Sequence, residues 1–183
     1  MASKSATNSF TMRLIGAAAL DVAIYEEVEA DRGATGQALV VVVLSSLAAG
    51  IGARGWGDTS VWNILFVTII AVLAWAAWAL VTLQIGGRLL PEPQTSVDIG
   101  ELLRTIGFAT APGMIRVFGV LPAATKPAFV IAAVWMFVAM IVGVRQALDY
   151  KSTGRAVAVC FLGWILSLAL SAALGLLFVP AVS

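Results

Sequence analysis

The sequence predicts an all-α fold, namely a polytopic integral membrane helical bundle with five transmembrane helices and an N-terminal amphipathic surface helix. Of the 183 residues, 61% are hydrophobic and only 11% are charged, whereas soluble domains are about a quarter charged. Several apolar stretches approach or exceed the roughly 20 residues that a helix needs to cross a bilayer. Lipid is therefore the predicted solvent for most of the chain, and a globular enzyme is the less favoured alternative.

The N-terminal region is predicted to begin with a disordered tail, residues 1–9, and residues 10–183 are predicted to form one membrane domain. From Phe10 to Val28, apolar side chains recur on one face of a helix with 3.6 residues per turn. This pattern is typical of an amphipathic helix that lies on a membrane surface. A short transmembrane helix is the alternative, which Arg13 and Asp21 disfavour because both are charged.

Four later stretches are predicted to span the membrane. They are Gly36–Ala53, Val61–Ile85, Pro127–Val144 and Ala156–Val179. Within the last stretch, small residues recur every four positions, at Gly163, Ser167, Ser171 and Gly175. Small residues at this spacing let helix backbones approach closely, so the stripe predicts packing between helices of the bundle. A homodimer face is the alternative interpretation.

A fifth apolar stretch, Leu102–Leu121, carries Arg104, Arg116 and an internal Pro112-Gly113 pair. Proline removes a helical hydrogen bond and glycine weakens a helix, so the segment is expected to kink near its middle. Such a segment either spans the membrane or dips in and returns.

The distribution of lysine and arginine distinguishes these two arrangements. With five spans, eight basic residues lie on the side of the N-terminus and three on the other side; with four spans the split is seven to four. Because basic residues concentrate on the cytoplasmic side, five spans are favoured. The predicted location is thus the cell membrane, with the N-terminus cytoplasmic and the C-terminus outside.

A polar linker with two prolines, Leu89–Gly100, precedes the apolar stretch Leu102–Leu121. Near its end, Asp98 stands three residues before Glu101. This spacing predicts an N-terminal cap for the helix that follows.

The composition also excludes several functions. The chain has no histidine and a single cysteine, Cys160, which rules out an intrachain disulfide, a thiolate metal cluster and imidazole chemistry. Serine–histidine and cysteine–histidine nucleophiles are impossible for the same reason. With a net charge of +1, nucleic acid is not an expected partner. The prediction is therefore a protein that is not an enzyme and has no cofactor and no metal site.

Three charged segments together resemble the bacterial branch of the Yip domain family (Ypt/Rab-interacting proteins). They read "YEEVEADRGATGQA" before the first span, "GELLRTIGFATAPG" after the linker and "VRQALDYKSTGRAVAVC" between the last two spans. The resemblance covers most of the chain from Phe10 onward. It implies a five-span membrane fold with a cytoplasmic N-terminus, and links to small GTPases and membrane traffic in eukaryotic members.

In the five-span arrangement the three charged segments share the cytoplasmic side. Acidic residues gain nothing from an anionic lipid surface, so other groups must offset the repulsion among them. The predicted partners are basic residues from later turns: Arg104, Arg145, Lys151 and Arg155. The candidate cytoplasmic charged cluster comprises Glu26, Glu27, Glu29, Asp31, Arg32, Glu101, Arg104, Arg145, Asp149 and Arg155.

This cluster has two interpretations, a lock on the fold or a binding site for a protein, a lipid head group or a cation. The predicted function is a membrane scaffold or adaptor, with the lipid bilayer and either a protein partner or a second copy of the chain as its contacts. The alternatives are a transporter or channel and an accessory subunit of a larger membrane complex. A transporter needs a polar path in mid-membrane, for which Arg116 and several hydroxyls are the candidates.

Overall fold

The computed structural model describes residues 8–57 and 60–178, and the side chains among them other than those of Pro122 and residues 167–178. All regular structure in these residues is helical. The α-helices are α1 (Phe10–Ala18), α2 (Val22–Ala30), α3 (Ala34–Gly52), α4 (Val61–Gln84), α5 (Ile99–Phe108), α6 (Pro122–Ala147) and α7 (Thr153–Phe178). Three shorter helical segments join them, the 3₁₀ segments Ala53–Trp56 and Ala111–Val120 and the π-helical turn Ile85–Leu89.

The chain turns sharply between α1 and α2, so the predicted single surface helix over Phe10–Val28 is wrong. Leu20 has a φ angle of +64°, in the left-handed region that a right-handed helix excludes. Asp21 then caps α2 by accepting a hydrogen bond from the backbone N–H of Ala23 at 3.0 Å. The aspartate that interrupts the apolar face is therefore the start signal of a second helix.

Three helical stretches of the described chain are long and apolar enough to cross a membrane. They are Ala34–Trp56, Val61–Leu89 and Ala123–Ala147, and each contains one of the predicted spans. The part of α7 up to Leu166 is also an apolar helix. Large hydrophobic side chains remain exposed along α4 and α6, including Phe66, Ile69, Leu73, Val130 and Val134. Surfaces of this kind fit contact with lipid, because they would be costly in water.

α5 and the 3₁₀ segment after it run beside α3 in the same direction. A Cβ atom at Gly107 would lie 2.7 Å from the Cβ of Ala38, and one at Gly113 would lie 2.2 Å from the Oγ of Ser45. At the far end of α3, a Cβ at Gly52 would lie only 1.9 Å from the carbonyl oxygen of Arg116. The absence of side chains at these glycines thus lets the broken segment pack along the whole of α3.

The start of α5 confirms the cap predicted at its N-terminus. The Asp98 carboxylate accepts the backbone N–H groups of Gly100 and Glu101, and the Glu101 carboxylate accepts the backbone N–H of Asp98 at 2.9 Å. The helix ends at Phe108, and the chain continues as a 3₁₀ helix with Pro112 in its first turn. Pro112 has no N–H to donate, so it is placed where the helix type has already changed.

The N-terminal helices also pack on the bundle through buried apolar side chains. Tyr25 and Val28 of α2 lie in one cluster with Ala38 of α3 and Phe108 of α5. The Tyr25 hydroxyl donates a hydrogen bond to the carbonyl of Ala17 at 3.1 Å, which satisfies its buried polar atom. The α1–α2 pair is thus part of the packed bundle.

Candidate functional site

Arg13 holds the acidic segment, residues 26–31, against α1. Its side chain is only 2% exposed, and its Nη2 atom lies 2.9 Å from Glu27 Oε1 and 2.8 Å from Asp31 Oδ2. Its Nη1 donates to Gln37 Oε1 at 3.0 Å, and Asn8 donates two further hydrogen bonds to the Glu27 carboxylate. One buried cation thus joins α1, the end of α2 and the first turn of α3. We call Arg13, Glu27, Asp31 and Gln37 the Arg13 clamp.

The clamp keeps its two carboxylates ionised. Burial by itself would raise the pKa of Glu27, but hydrogen bonds from Asn8 and Arg13 outweigh burial and lower that pKa. The hydrogen bond from Arg13 is the largest influence on Asp31 and lowers its pKa as well. Because a lowered carboxyl pKa means that the charged form is stabilised by folding, the clamp stabilises the fold at neutral pH.

Arg104 connects α5 to the C-terminal end of α2. Its Nε donates to the carbonyl oxygens of Val28 at 3.0 Å and Glu29 at 2.9 Å, and its Nη2 also donates to the Glu29 carbonyl. The last carbonyls of a helix lack partners within the helix and carry the negative end of its dipole, so a guanidinium stabilises them. Arg104 therefore docks the acidic segment through its backbone, although the sequence predicted an ion pair with its carboxylates.

The structure brings four of the predicted carboxylates together as an acidic cluster. It consists of Glu26 and Glu29 on α2, Glu101 on α5 and Asp149 in the turn after α6. Among the described residues, no group of three or more carboxylates or thiols is arranged to hold a metal ion. The other three carboxylates are thus close enough to Glu29 to repel its negative charge.

Glu29 carries the effect of that repulsion. Burial, followed by the negative charges of Asp149 and Glu101, raises the pKa of Glu29 to about 7, although the positive charge of Arg104 opposes the shift. A carboxyl whose pKa is raised by folding is easier to protonate in the folded chain. The destabilisation of the fold by ionised Glu29 is therefore absent below the ordinary pKa of 4.5 and grows as the pH rises to about 7.

We therefore expect Glu29→Gln to stabilise the protein above neutral pH. Screening by water limits the gain at this half-buried carboxylate to about 1 kcal/mol, which corresponds to a rise of about 2–4 °C in Tm for a chain of this size. Thermal unfolding in a mild detergent, followed from acidic to alkaline pH, measures this gain. The matched control is Glu27→Gln on the same helix, which is expected to lower Tm because it weakens the Arg13 clamp. A lower Tm for Glu29→Gln at alkaline pH would contradict the assignment.

The other predicted basic residues bind elsewhere. Arg145 donates to the carbonyl of Tyr150 at 3.2 Å, within the turn that follows α6. Arg155 donates to the carbonyl of Pro91 at 2.6 Å and lies 3.7 Å from the Glu92 carboxylate. The two Arg155 contacts tie the linker to the start of α7. Neither arginine pairs with the acidic segment, so that prediction is wrong.

Two further predicted residues make no ion pair with that segment. Lys151 contributes its backbone N–H, which donates to Glu92 Oε2 at 3.0 Å. Arg32 is exposed, and none of the ion pairs in the described part of the chain includes it. Arg13 is the cation that the sequence prediction missed. The signal for it was the Asp21 cap, because a turn at that position folds α1 back onto α2.

The predicted packing stripe on α7 is described only at its first residue. A Cβ atom at Gly163 would lie 3.0 Å from Cη2 of Trp78 on α4, so this glycine contacts another helix of the same chain. The side chains of the other three stripe residues, Ser167, Ser171 and Gly175, lie outside the described residues, as do residues 1–7 of the predicted tail.

These features define the class of the molecule: an integral membrane protein whose regular structure, in the described residues, is all helical and whose N-terminal helices are fixed to the bundle by buried charges. The chain belongs to the Yip1 domain family, because the sequence model of that domain matches residues 22–174. The match begins at the first residue of α2 and includes the acidic cluster and Arg104, whereas Arg13 lies before it. A search of curated proteins and a search of solved structures each returned no match.

Proposed function

We propose that the chain crosses the cell membrane five times, with its N-terminus in the cytoplasm and its C-terminus outside. Three long apolar helices support this topology. The segment Ile99–Val120 supports a further span, because it runs parallel to α3 from end to end and offers 10 α-helical and 10 3₁₀ residues. The two helical parts together have a length of about 35 Å along their axes, which exceeds the thickness of the hydrocarbon core of a bilayer. α7 has 26 residues and supplies the last span.

Cysteine labelling tests this topology. In a Cys160→Ala background, cysteines at Ser5 and Ser152 are expected to react with an impermeant maleimide only from the cytoplasmic side. Cysteines at Ser60 and Ser183 are expected to react only from the outside. Labelling of the Ser183 position from the cytoplasm would reject five spans.

We further propose that the protein is a non-catalytic membrane scaffold that docks a basic segment of a cytoplasmic protein on its acidic cluster. The supporting observation is that Glu26, Glu29, Glu101 and Asp149 converge from three parts of the fold, while the nearby Arg104 is already bonded to backbone carbonyls. The surface is therefore negative overall, because the single positive charge of Arg104 faces four carboxylates. A lipid head group is a poorer partner than a protein, because the inner leaflet is itself anionic.

The fold is suited to hold this surface in place. Arg13 binds Glu27 and Asp31, and Arg104 binds the two backbone carbonyls at positions 28 and 29 between them. The Glu26 carboxylate accepts a hydrogen bond from Gln146 on α6 at 3.2 Å. A rigid surface loses little conformational entropy when a partner binds. Complementary charge would accelerate the encounter and give it a strong dependence on salt.

Copurification tests the scaffold proposal. The tagged protein is purified in a mild detergent, and the copurifying proteins are identified by mass spectrometry. We expect a stoichiometric partner that elutes with salt and that is lost from the triple variant Glu26→Gln, Glu29→Gln and Asp149→Asn. This variant leaves Glu101 in place because that residue caps α5.

The control for this experiment is Asp21→Asn, which removes a negative charge from the other end of α2 and keeps a side chain that can cap the helix. An equal loss of the partner in this control would contradict docking at the acidic cluster. Flux of a solute through liposomes that contain only this protein would overturn the scaffold proposal in favour of a transporter.

A further inference from the structure

Arg116 lies inside the bundle without a carboxylate partner. Its Nη2 donates to Ser45 Oγ at 2.8 Å and to the Ser45 carbonyl at 3.2 Å, and its Nε donates to the Gly113 carbonyl at 2.9 Å. None of the ion pairs in residues 8–57 and 60–178 involves Arg116. Ser45 is the twelfth residue of α3, about 17 Å along the helix and thus near the middle of a bilayer.

A cation at this depth is costly and marks a functional site unless it is paired. The acceptors that Arg116 has are neutral, so its positive charge is still uncompensated. Its Nη1 atom makes none of the hydrogen bonds given above and is free to donate another. The chemistry that would complete the site is an anion.

Arg116 lines a cavity of about 330 Å³ between α3, α4 and α6. Its other walls are mainly apolar, with the hydroxyls of Ser46 and Thr110 among them. Trp78 also lines this cavity, and its buried indole N–H has no hydrogen-bond acceptor in the described part of the chain. By contrast, the indole N–H of Trp75 donates to the Leu103 carbonyl at 3.0 Å. The cavity therefore combines a cation with an unused neutral donor, two groups that suit an oxyanion.

The cavity continues towards the lipid. A second space of about 340 Å³ shares Trp78, Arg116 and Met136 with the first and extends to Trp164 on α7. A third, of about 450 Å³, shares Phe137 and Trp164 with the second. Its walls are almost entirely apolar and lie between α6 and α7, where Trp164 is 54% exposed. Three adjoining, mainly apolar spaces, which we call the passage, thus extend from Arg116 to the exposed surface between α6 and α7.

We propose that this passage binds a single-chain anionic amphiphile, with its acidic head group on Arg116 and Trp78 and its acyl chain between α6 and α7. A small hydrophilic anion fits less well, because the described residues that line the passage beyond Arg116 are mainly apolar. The carboxylate of a free fatty acid and the phosphate of a lysophospholipid supply the same head-group chemistry. The site is separate from the acidic cluster and extends the proposal beyond protein docking.

Quenching of tryptophan fluorescence tests the site, because Trp75, Trp78 and Trp164 line the passage. The protein in a non-ionic detergent is titrated with dibromostearic acid and, separately, with its methyl ester. We expect saturable quenching by the acid, with about tenfold weaker binding of the uncharged ester. Equal affinity for acid and ester in the wild-type protein would overturn the proposal without any variant.

Variants then locate the head group. Arg116→Gln is expected to weaken binding of the acid about tenfold, and Arg116→Lys to retain part of the affinity. The matched control is Arg54→Gln, which removes an exposed arginine from the 3₁₀ segment after α3 and is expected to bind as the wild type does. Unchanged affinity in an Arg116→Gln protein that remains monodisperse and helical would also overturn the proposal.

Competition identifies the source of the anion. Stearic acid and lysophosphatidic acid are each added to the complex with dibromostearic acid, and displacement by either supports an amphiphile site. The one that competes at the lower concentration identifies the head group. Displacement by inorganic phosphate alone would reject the amphiphile and indicate a site for a small anion.

Discussion

Replacing Arg13 by alanine is expected to lower the free energy of unfolding by about 3 kcal/mol, because two carboxylates then lose the one cation that forms an ion pair with them in the described part of the chain. Glu27 and Asp31 are 22% and 34% exposed, so water relieves part of the cost. The loss is expected in the N-terminal helices first. Thermal unfolding in a mild detergent measures the total effect, and limited proteolysis between α1 and α3 measures the local one.

Two variants distinguish the clamp from a general effect of charge. Arg32→Ala removes an exposed arginine from the same segment and is expected to change stability by less than about 0.5 kcal/mol. Arg13→Lys keeps the charge but cannot reach three acceptors with a planar fork, so we expect only partial rescue. Equal losses for Arg13→Ala and Arg32→Ala would show that the buried ion pairs do not hold the segment.

The clamp and the acidic cluster depend on pH in opposite directions. Because the pKa values of Glu27 and Asp31 are lowered, the stability that the clamp contributes is present above the ordinary carboxyl range and is lost as the pH falls below it. The pKa of Glu29 is raised to about 7, so the destabilisation caused by its charge disappears earlier, as the pH falls from about 7 to 4.5. The acidic segment is therefore most tightly held between these limits, in mildly acidic solution.

Features that depend on neighbouring residues could be predicted from the sequence. Composition and apolar length indicate the membrane class and the long helices, because a bilayer imposes a minimum span. The cap formed by Asp98 and Glu101 is correct because all of its donors and acceptors lie within four residues. Family membership was also recoverable, since the charged segments themselves carry the resemblance.

Features that depend on tertiary packing could not be predicted. The periodicity of Phe10–Val28 is shared by one helix and by two, and the left-handed conformation of Leu20 decides between them. Only after that turn is known does Arg13 lie beside Glu27, fourteen residues later in the chain. Spacing in the sequence therefore favoured basic residues near the span ends, and of these only Arg104 contacts the acidic segment within the described part of the chain.

The same limit applies to contacts between the spans. Ser45, Gly52 and Gly55 of the first span all touch the broken segment, yet the glycines do not follow the four-residue spacing that the stripe on α7 shows. A Cβ at Gly55 would lie 2.0 Å from the carbonyl oxygen of Gly119. The 3₁₀ segment thus turns the carbonyls of Arg116 and Gly119 towards glycines of the first span. Its position depends on Pro112, and the resulting register cannot be derived from spacing alone.

Gly52→Ala is therefore expected to destabilise the bundle strongly, by about 3 kcal/mol or about 6–12 °C in Tm for a chain of this length. The added methyl would lie 1.9 Å from the backbone carbonyl oxygen of Arg116, and a backbone cannot move aside as a flexible side chain can. We expect the 3₁₀ segment to separate from α3. Thermal unfolding in a mild detergent measures the loss, and retention of the variant in the membrane fraction shows that insertion is unaffected.

Gly36→Ala is the matched control, because it makes the same substitution in the same helix at a position where nothing lies within 4 Å of the added Cβ. Alanine favours a helix over glycine by about 0.5–1 kcal/mol, so this control is expected to leave stability unchanged or slightly raised. A loss at Gly52 but not at Gly36 assigns the effect to the contact between α3 and the 3₁₀ segment. If both variants unfold at the wild-type temperature, the 3₁₀ segment does not pack along α3. The span proposed for Ile99–Val120 then loses its main structural support.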